Sequence, residues 1–155
     1  MMRLSLLTVL LLCLFGTVYG QTDCADILRD TDKVTKAITC TAPDMSMALK
    51  AVISGGDTTI TVNFNVKEII SSDEAGLYIK LDDGHTLRYF GQRITKTWLN
   101  ARDGYNYETI LTCGPTVVRQ LKARKIKVFQ IAGIDVTVNN AIAEEFQGYL
   151  NCISK

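Results

Sequence analysis

The chain has 155 residues, with 17 lysines and arginines against 16 aspartates and glutamates, and 47% of it is apolar. This apolar content excludes a disordered chain, and the balanced charge argues against a general role in binding nucleic acid or a membrane surface. A chain of this length can bury a core of its own, so we expect one globular domain.

The beginning of the chain has the pattern of a signal peptide. Arg3 precedes an almost wholly apolar run at 4–15, and small residues stand three positions and one position before Gln21. The apolar run is shorter than the roughly 20 residues that a membrane span needs. We therefore predict a signal peptide at 1–20, cleavage between Gly20 and Gln21, and a secreted or periplasmic domain at 21–155 without a membrane span.

The N-terminal half of this domain predicts strands. After an irregular lead-in at 21–32, residues 33–40 alternate in the way of a first strand. Residues 46–54 and 58–65 alternate more clearly, and Gly55-Gly56-Asp57 between them predicts a tight turn. These two segments therefore predict a hairpin.

A second hairpin is predicted at 77–89, where Asp82-Asp83-Gly84 is a strong turn signal between two runs rich in β-branched and aromatic residues. A three-residue loop places the apolar side chains of both strands on one face, whereas a two-residue loop mixes them. We therefore predict the three-residue loop, with a bulge at Gly84, which takes a positive φ.

The C-terminal half begins irregularly and then alternates helix, hairpin and helix. Its segments are an irregular stretch at 91–104, a strand at 105–113, a helix at 115–124, a hairpin of 126–131 with 134–138, and a helix at 140–152 that Asn139 or Asn140 caps. Short connections favour antiparallel pairing. We therefore predict an α+β fold: a mainly antiparallel β-sheet built from hairpins, with two amphipathic helices packed on it.

Four cysteines follow the predicted cleavage site, and an even number in an exported chain is typical of disulfides. Three pairings of Cys24, Cys40, Cys113 and Cys152 are possible. We favour Cys24–Cys40, which closes a short N-terminal loop, together with Cys113–Cys152, which ties a strand end to the last helix. The alternative is one disulfide and two free, buried thiols.

The last 45 residues or so and the start at Gln21 resemble small uncharacterised exported proteins of Bacteroidetes. The likeness lies in a short helix, Lys125-Ile126-Lys127-Val128, a two-strand turn, and a helix that ends in Tyr149-Leu150-Asn151-Cys152-Ile153. The resemblance implies a periplasmic or secreted location and carries over no functional residue.

Charged groups do not form a familiar catalytic or metal-binding motif. The single histidine, His85, lies beside a turn without the partners that a metal site needs. Asp73-Glu74 and Asp82-Asp83 are interpreted as turn residues, with calcium binding or acid–base work as alternatives. Five cations within 119–127 are interpreted as a solvated helix face, with an anion site as the alternative. We expect no metal, no cofactor and no catalytic residue.

The stretch 92–107 is the candidate contact surface. It combines the only tryptophan of the chain with two tyrosines, Tyr105 and Tyr107, and three cations. The candidate binding residues are Arg93, Lys96, Trp98, Arg102 and Tyr105. Long loops with aromatic and cationic side chains are where binding sites concentrate. The interpretation that we favour for Trp98 and Leu99 themselves is that they close the end of the sheet as part of the core, with a contact surface as the alternative.

These observations predict an exported, non-enzymatic domain that binds an unknown protein or small ligand, or that supports an assembly of the cell envelope. One alternative is a secreted inhibitor or effector that acts on a foreign protein through a protruding loop at 91–104. A further alternative is an enzyme with a nonstandard site.

Overall fold

The computed structural model describes residues 24–42 and 46–154, so the predicted signal peptide and its cleavage site lie outside the described residues. A 3₁₀ turn at Cys24–Asp26 comes first. The strands and helices that follow are β1 (Leu28–Thr31), β2 (Ile38–Thr41), β3 (Met47–Ser54), β4 (Asp57–Glu68), β5 (Leu77–Leu81), β6 (Thr86–Tyr89), β7 (Thr95–Asn100), β8 (Gly104–Cys113), α1 (Pro115–Ala123), β9 (Ile126–Ile131), β10 (Ile134–Thr137) and α2 (Asn140–Ile153).

The strands form two antiparallel sheets. Six strands pair in the order β1-β2-β3-β4-β8-β7, and four pair in the order β10-β9-β5-β6. The predicted α+β class and the two predicted helices are confirmed. The structure adds that the strands divide into two sheets, which pack on each other through one shared core. No helix within 24–42 or 46–154 has the length and apolarity of a membrane span.

The central hairpin has the predicted register. Leu77 pairs with Tyr89 and Ile79 with Leu87, as a three-residue loop requires. The Leu81 N–H donates to the His85 carbonyl at 2.8 Å, and the Gly84 N–H donates to the Leu81 carbonyl at 3.0 Å. Gly84 has a φ of +85°, which a glycine adopts without the clash that a Cβ would create. The apolar pattern of the two strands therefore set the register here.

The core lies between the inner faces of the two sheets and is closed on one side by α2. Phe146, Leu150 and Ile153 from α2 pack there, and together they form the apolar face that an amphipathic helix requires. The helix begins where predicted, because the Asn139 side chain accepts a hydrogen bond from the Ile142 N–H at 2.9 Å.

The predicted first strand at 33–40 is wrong. Residues Leu28–Thr31, which were expected in an irregular lead-in, form β1, and only Ile38–Thr41 of the following segment is extended. Between them the Asp32 carboxylate accepts hydrogen bonds from the N–H groups of Val34 and Thr35, at 2.9 and 2.6 Å. These bonds close a turn, and they also lower the pKa of Asp32. Local turn chemistry therefore overrides the alternating pattern.

The favoured disulfide pairing is also wrong. Cys24 pairs with Cys152, with their Cα atoms 5.8 Å apart, while Cys40 and Cys113 are free and buried. Cys40 and Cys113 stand in one row across the six-stranded sheet, separated by Ala51 and Ile60. Three strand spacings put them about 14 Å apart, too far for a disulfide. The alternative of one disulfide with two free thiols is therefore the observed arrangement.

Candidate functional site

The stretch 91–104 is not the long loop that its composition predicts. Thr95–Asn100 forms β7, which pairs with β8 at the end of the six-stranded sheet. The turn between them is built by Asn100, whose side-chain oxygen accepts from the N–H groups of Arg102 and Asp103, both at 2.9 Å. Gly104 follows with a φ of +68°. Asn100 and Gly104 were the sequence signals that could have revealed this hairpin.

Three of the five predicted site residues come together on the inner face of this hairpin. Trp98 lies opposite Tyr105, and Lys96 lies opposite Tyr107, so all four side chains share one face. The rings of Trp98 and Tyr105 meet edge to face with centroids 4.9 Å apart, and those of Tyr105 and Tyr107 are 6.3 Å apart. We call Lys96, Trp98 and Tyr105 the Trp98 surface.

The Trp98 surface extends beyond the core. The side chain of Trp98 is 55% exposed, and the flanking Leu99 is exposed as well. The favoured interpretation, in which these two residues close the sheet end as part of the core, is therefore wrong. Tyr107, one pair further along β8, is fully buried and anchors the surface to the core. The result is an apolar ring that packs against Tyr105 and is open to solvent on its other side.

Lys96 is a fixed cation within this surface. Its Nζ lies 2.8 Å from Oδ1 of Asp73 and also donates to the Ser71 hydroxyl. The same Nζ stands 4.9 Å from the centroid of the Tyr105 ring, within reach of a cation–π contact. The hydrogen bond to Asp73 raises the pKa of Lys96. Lys96 therefore stays charged at neutral pH.

Beside Lys96 lies a cavity of about 350 Å³ with walls of mixed charge. Its lining residues are Ser72, Asp73, Glu74, Ala75, Gln92, Arg93, Ile94, Lys96, Tyr107 and Ala132. Ser72 fixes the connecting segment that forms one wall. Its N–H donates to the Tyr107 hydroxyl at 2.7 Å, and its own hydroxyl donates to the Ala132 carbonyl at 2.6 Å.

The remaining two predicted site residues stand apart from the Trp98 surface. Arg93 lines the neighbouring cavity. Arg102 lies exposed in the turn between β7 and β8, where its backbone N–H donates to the Asn100 side chain. The structure thus brings Lys96, Trp98 and Tyr105 together, places Arg93 nearby, and leaves Arg102 on the turn.

One member of each acidic pair takes part in an ion pair, Asp73 with Lys96 and Asp83 with Arg124. The Asp83 carboxylate accepts from the His85 N–H at 2.9 Å and lies 2.7 Å from Nε of Arg124. In the part of the chain that the structure describes, no group of three histidine, cysteine, aspartate or glutamate side chains is placed to hold a metal ion.

The backbone of β7 forms an open sheet edge beside the Trp98 surface. As the last strand of its sheet, β7 pairs with β8 on one side, and all six of its residues are exposed. Its register shifts between Trp98 and Asn100, so the regular part of the open edge is Thr95–Trp98. An edge of this kind can take up another extended segment.

Comparison of the chain with models of known protein families, with characterised proteins and with solved structures finds no match. What the fold and the site define is an α+β domain that carries an open edge strand beside an exposed aromatic and cationic surface.

Proposed function

We propose that this chain is an exported, non-enzymatic domain that binds another protein through β7 and the Trp98 surface. The observation that carries the proposal is the exposure of Trp98 in a regular strand, with its ring held against Tyr105. Tryptophan and tyrosine dominate the binding energy of protein interfaces, because they bury a large area with few rotatable bonds.

The edge strand favours an extended partner segment that adds to the sheet. Proteins protect edge strands by keeping them short and by placing charged residues on them. The other three edges of the described sheets, β1, β6 and β10, have four residues each and carry Arg29, Asp30, Arg88 or Asp135. β7 has six residues, and its one charged side chain, Lys96, is drawn onto the sheet face by Asp73. β7 is therefore the least protected of these edges, and strand addition supplies backbone hydrogen bonds there.

The Lys96 amine at the site and the Cys113 thiol at the far end of β8 fit binding better than catalysis. Lys96 is a protonated, hydrogen-bonded cation at neutral pH, so it cannot serve as a base there. The free thiol of Cys113 is buried, and burial raises its pKa to about 12. A thiol with such a pKa is a poor nucleophile. These properties support the non-enzymatic part of the proposal.

The disulfide supports the proposed location. The Cys24–Cys152 pair joins the first described residues to the last helix, and such a bond persists in oxidising compartments outside the cytosol. Together with the leader pattern before Gln21, it supports a secreted or periplasmic domain. The inhibitor alternative depended on a protruding loop at 91–104, and β7 takes the place of that loop.

Site-specific photo-crosslinking tests the proposed surface. A photoreactive residue at Thr97 on β7 is compared with the same residue at Thr137, an exposed threonine on the edge strand β10. Each full-length protein is expressed in its source cells and irradiated. We expect a discrete protein adduct from position 97 that is absent at position 137 and is strongly reduced by Trp98→Ala. Equal adducts at both positions, or no adduct at position 97, would refute the proposed surface.

A further inference from the structure

A second cavity lies at the opposite end of β8 from the Trp98 surface. It has a volume of about 560 Å³, within the range of small-molecule sites. Strands β4 and β8, helix α1 and the residue after α2 surround it. The lining residues are Thr58, Ile60, Cys113, Pro115, Val118, Arg119, Lys122, Ala123 and Ser154.

The floor of this cavity is apolar. Ile60 and Cys113 are cross-strand neighbours on the inner face of the sheet, and both are buried. Pro115, Val118 and Ala123 add apolar surface from α1. Since burial keeps the Cys113 thiol neutral, it behaves here as a small apolar group. The floor therefore suits a hydrocarbon body and offers little to a fully polar ligand.

Arg119 and Lys122 supply two positive charges at the cavity wall. They lie three residues apart, on one face of α1. Arg119 is exposed and Lys122 half-buried, so both can reach the cavity mouth. Along the same basic run, Arg124 pairs with Asp83 and Lys125 with Glu144. Among the residues that the structure describes, neither Arg119 nor Lys122 takes part in an ion pair, and no acidic side chain lines the cavity.

We propose that this cavity binds a small molecule with one apolar chain and an anionic head, of the fatty-acid class. The apolar chain lies on Ile60, Cys113 and Val118, where its burial supplies most of the affinity. The head meets Arg119 and Lys122, whose exposed charges orient it and add a smaller contribution. In this proposal Arg119 and Lys122 form the anion site that was the alternative interpretation of the basic run at 119–127. Arg124 and Lys125 belong to the ion-paired surface of the protein.

Calorimetric titration of the disulfide-bonded mature chain tests the proposal, with decanoate and decanol as probes that share a chain length and differ in charge. We expect one decanoate per protein and weaker binding of decanol. The double variant Arg119→Gln/Lys122→Gln weakens decanoate binding about tenfold, toward that of decanol. The control Lys127→Gln removes an exposed cation of the same run that does not line the cavity, and it leaves the affinity unchanged.

A variant that fills the cavity separates the apolar part of the site from the charged part. Ala123→Phe places a ring in the cavity from the exposed last residue of α1, and Ala141→Phe is the matched control at an exposed position of α2. Should Ala123→Phe not fold, Thr58→Phe enters the same cavity from β4. We expect the filling variant to abolish binding of both probes, whereas Ala141→Phe and Trp98→Ala retain it. Absence of saturable decanoate binding, equal affinity for decanol, or full binding by the filled variant would overturn the proposal.

Discussion

Phe64 of β4 and Phe129 of β9 bring the two sheets into contact. Their ring centroids are 5.1 Å apart with planes inclined by 57°, and neither side chain has any exposed surface. Each ring belongs to a different sheet, so the pair joins the two halves of the core. A tilted pair at this separation is stabilising beyond the area that it buries.

Removal of one of these rings should weaken the whole domain. We expect Phe129→Ala to lower the free energy of unfolding by about 3–5 kcal/mol, because it deletes a fully buried ring and leaves a cavity between the sheets. Urea denaturation of the two proteins measures the difference. The matched control is Phe90→Ala, which removes an exposed ring and should change stability little. A cost for Phe129→Ala as small as that of the control would mean that the sheets do not pack through this pair.

The Cys24–Cys152 disulfide should contribute strongly to stability. It closes a loop with a sequence separation of 128 residues, and the chain-entropy estimate for so long a loop is about 5 kcal/mol. We expect Cys24→Ser/Cys152→Ser to lose about 3–5 kcal/mol in denaturant unfolding. Reduction should destabilise the wild-type protein by a similar amount and leave this variant unaffected. If reduction destabilised both proteins equally, a bond between Cys40 and Cys113 would have to exist.

Gly104 should be required for the β7–β8 hairpin that carries the Trp98 surface. Its φ of +68° is unfavourable for other residues, and a Cβ there would lie within 3.0 Å of the Glu68 carbonyl oxygen and the Ile69 Cα. We expect Gly104→Ala to cost about 3 kcal/mol or more, since backbone strain and overlap add. Gly91→Ala, where a Cβ meets no atom within 4 Å and φ is not positive, should be nearly neutral. Equal stability of the two variants by thermal unfolding would contradict the described turn.

Cys113 should make the domain less stable in alkali. Burial raises its pKa from 9.0 to about 12 in the folded protein, so the unfolded chain loses the thiol proton first as the pH rises. The neutral thiol makes its full contribution to the free energy of unfolding below about pH 9. That contribution is lost between pH 9 and pH 12, with a slope of up to about 1.4 kcal/mol per pH unit. We expect the Cys113→Ala variant to lack this loss of stability at high pH. Urea unfolding of both proteins at pH 8–11 measures it, and parallel pH curves would show that the thiol is not buried as described.

The parts of the fold that were predictable are those in which local pattern and tertiary packing agree. The hairpin at 77–89 could be predicted to the residue, because only one register gives an apolar face and Gly84 supplies the turn. The final helix was predictable for the same reason, since the cap at Asn139 coincides with the start of an apolar stripe.

Other features depend on contacts between distant residues or on side chains that bond to the backbone. The Asp32 and Asn100 turns end or join strands through side-chain hydrogen bonds that an alternating pattern does not reveal. The pairing of Cys24 with Cys152 depends on how the 3₁₀ turn lies against α2, which no local rule specifies. At the candidate site the residue types of Lys96, Trp98 and Tyr105 were recognisable, but their common face required the register of β7 with β8.

The proposed contact surface requires Trp98 to be exposed. Tryptophan fluorescence measures this exposure most directly, because the chain has no other tryptophan. We predict that the folded protein emits at a wavelength close to that of a solvated indole, and that acrylamide quenches this emission readily, although less than in the unfolded chain because Tyr105 covers one side of the ring. Addition of the partner captured at Thr97 should shift the emission to shorter wavelength and protect it from quenching. Emission already protected in the isolated protein, or unchanged by that partner, would contradict a contact surface at Trp98.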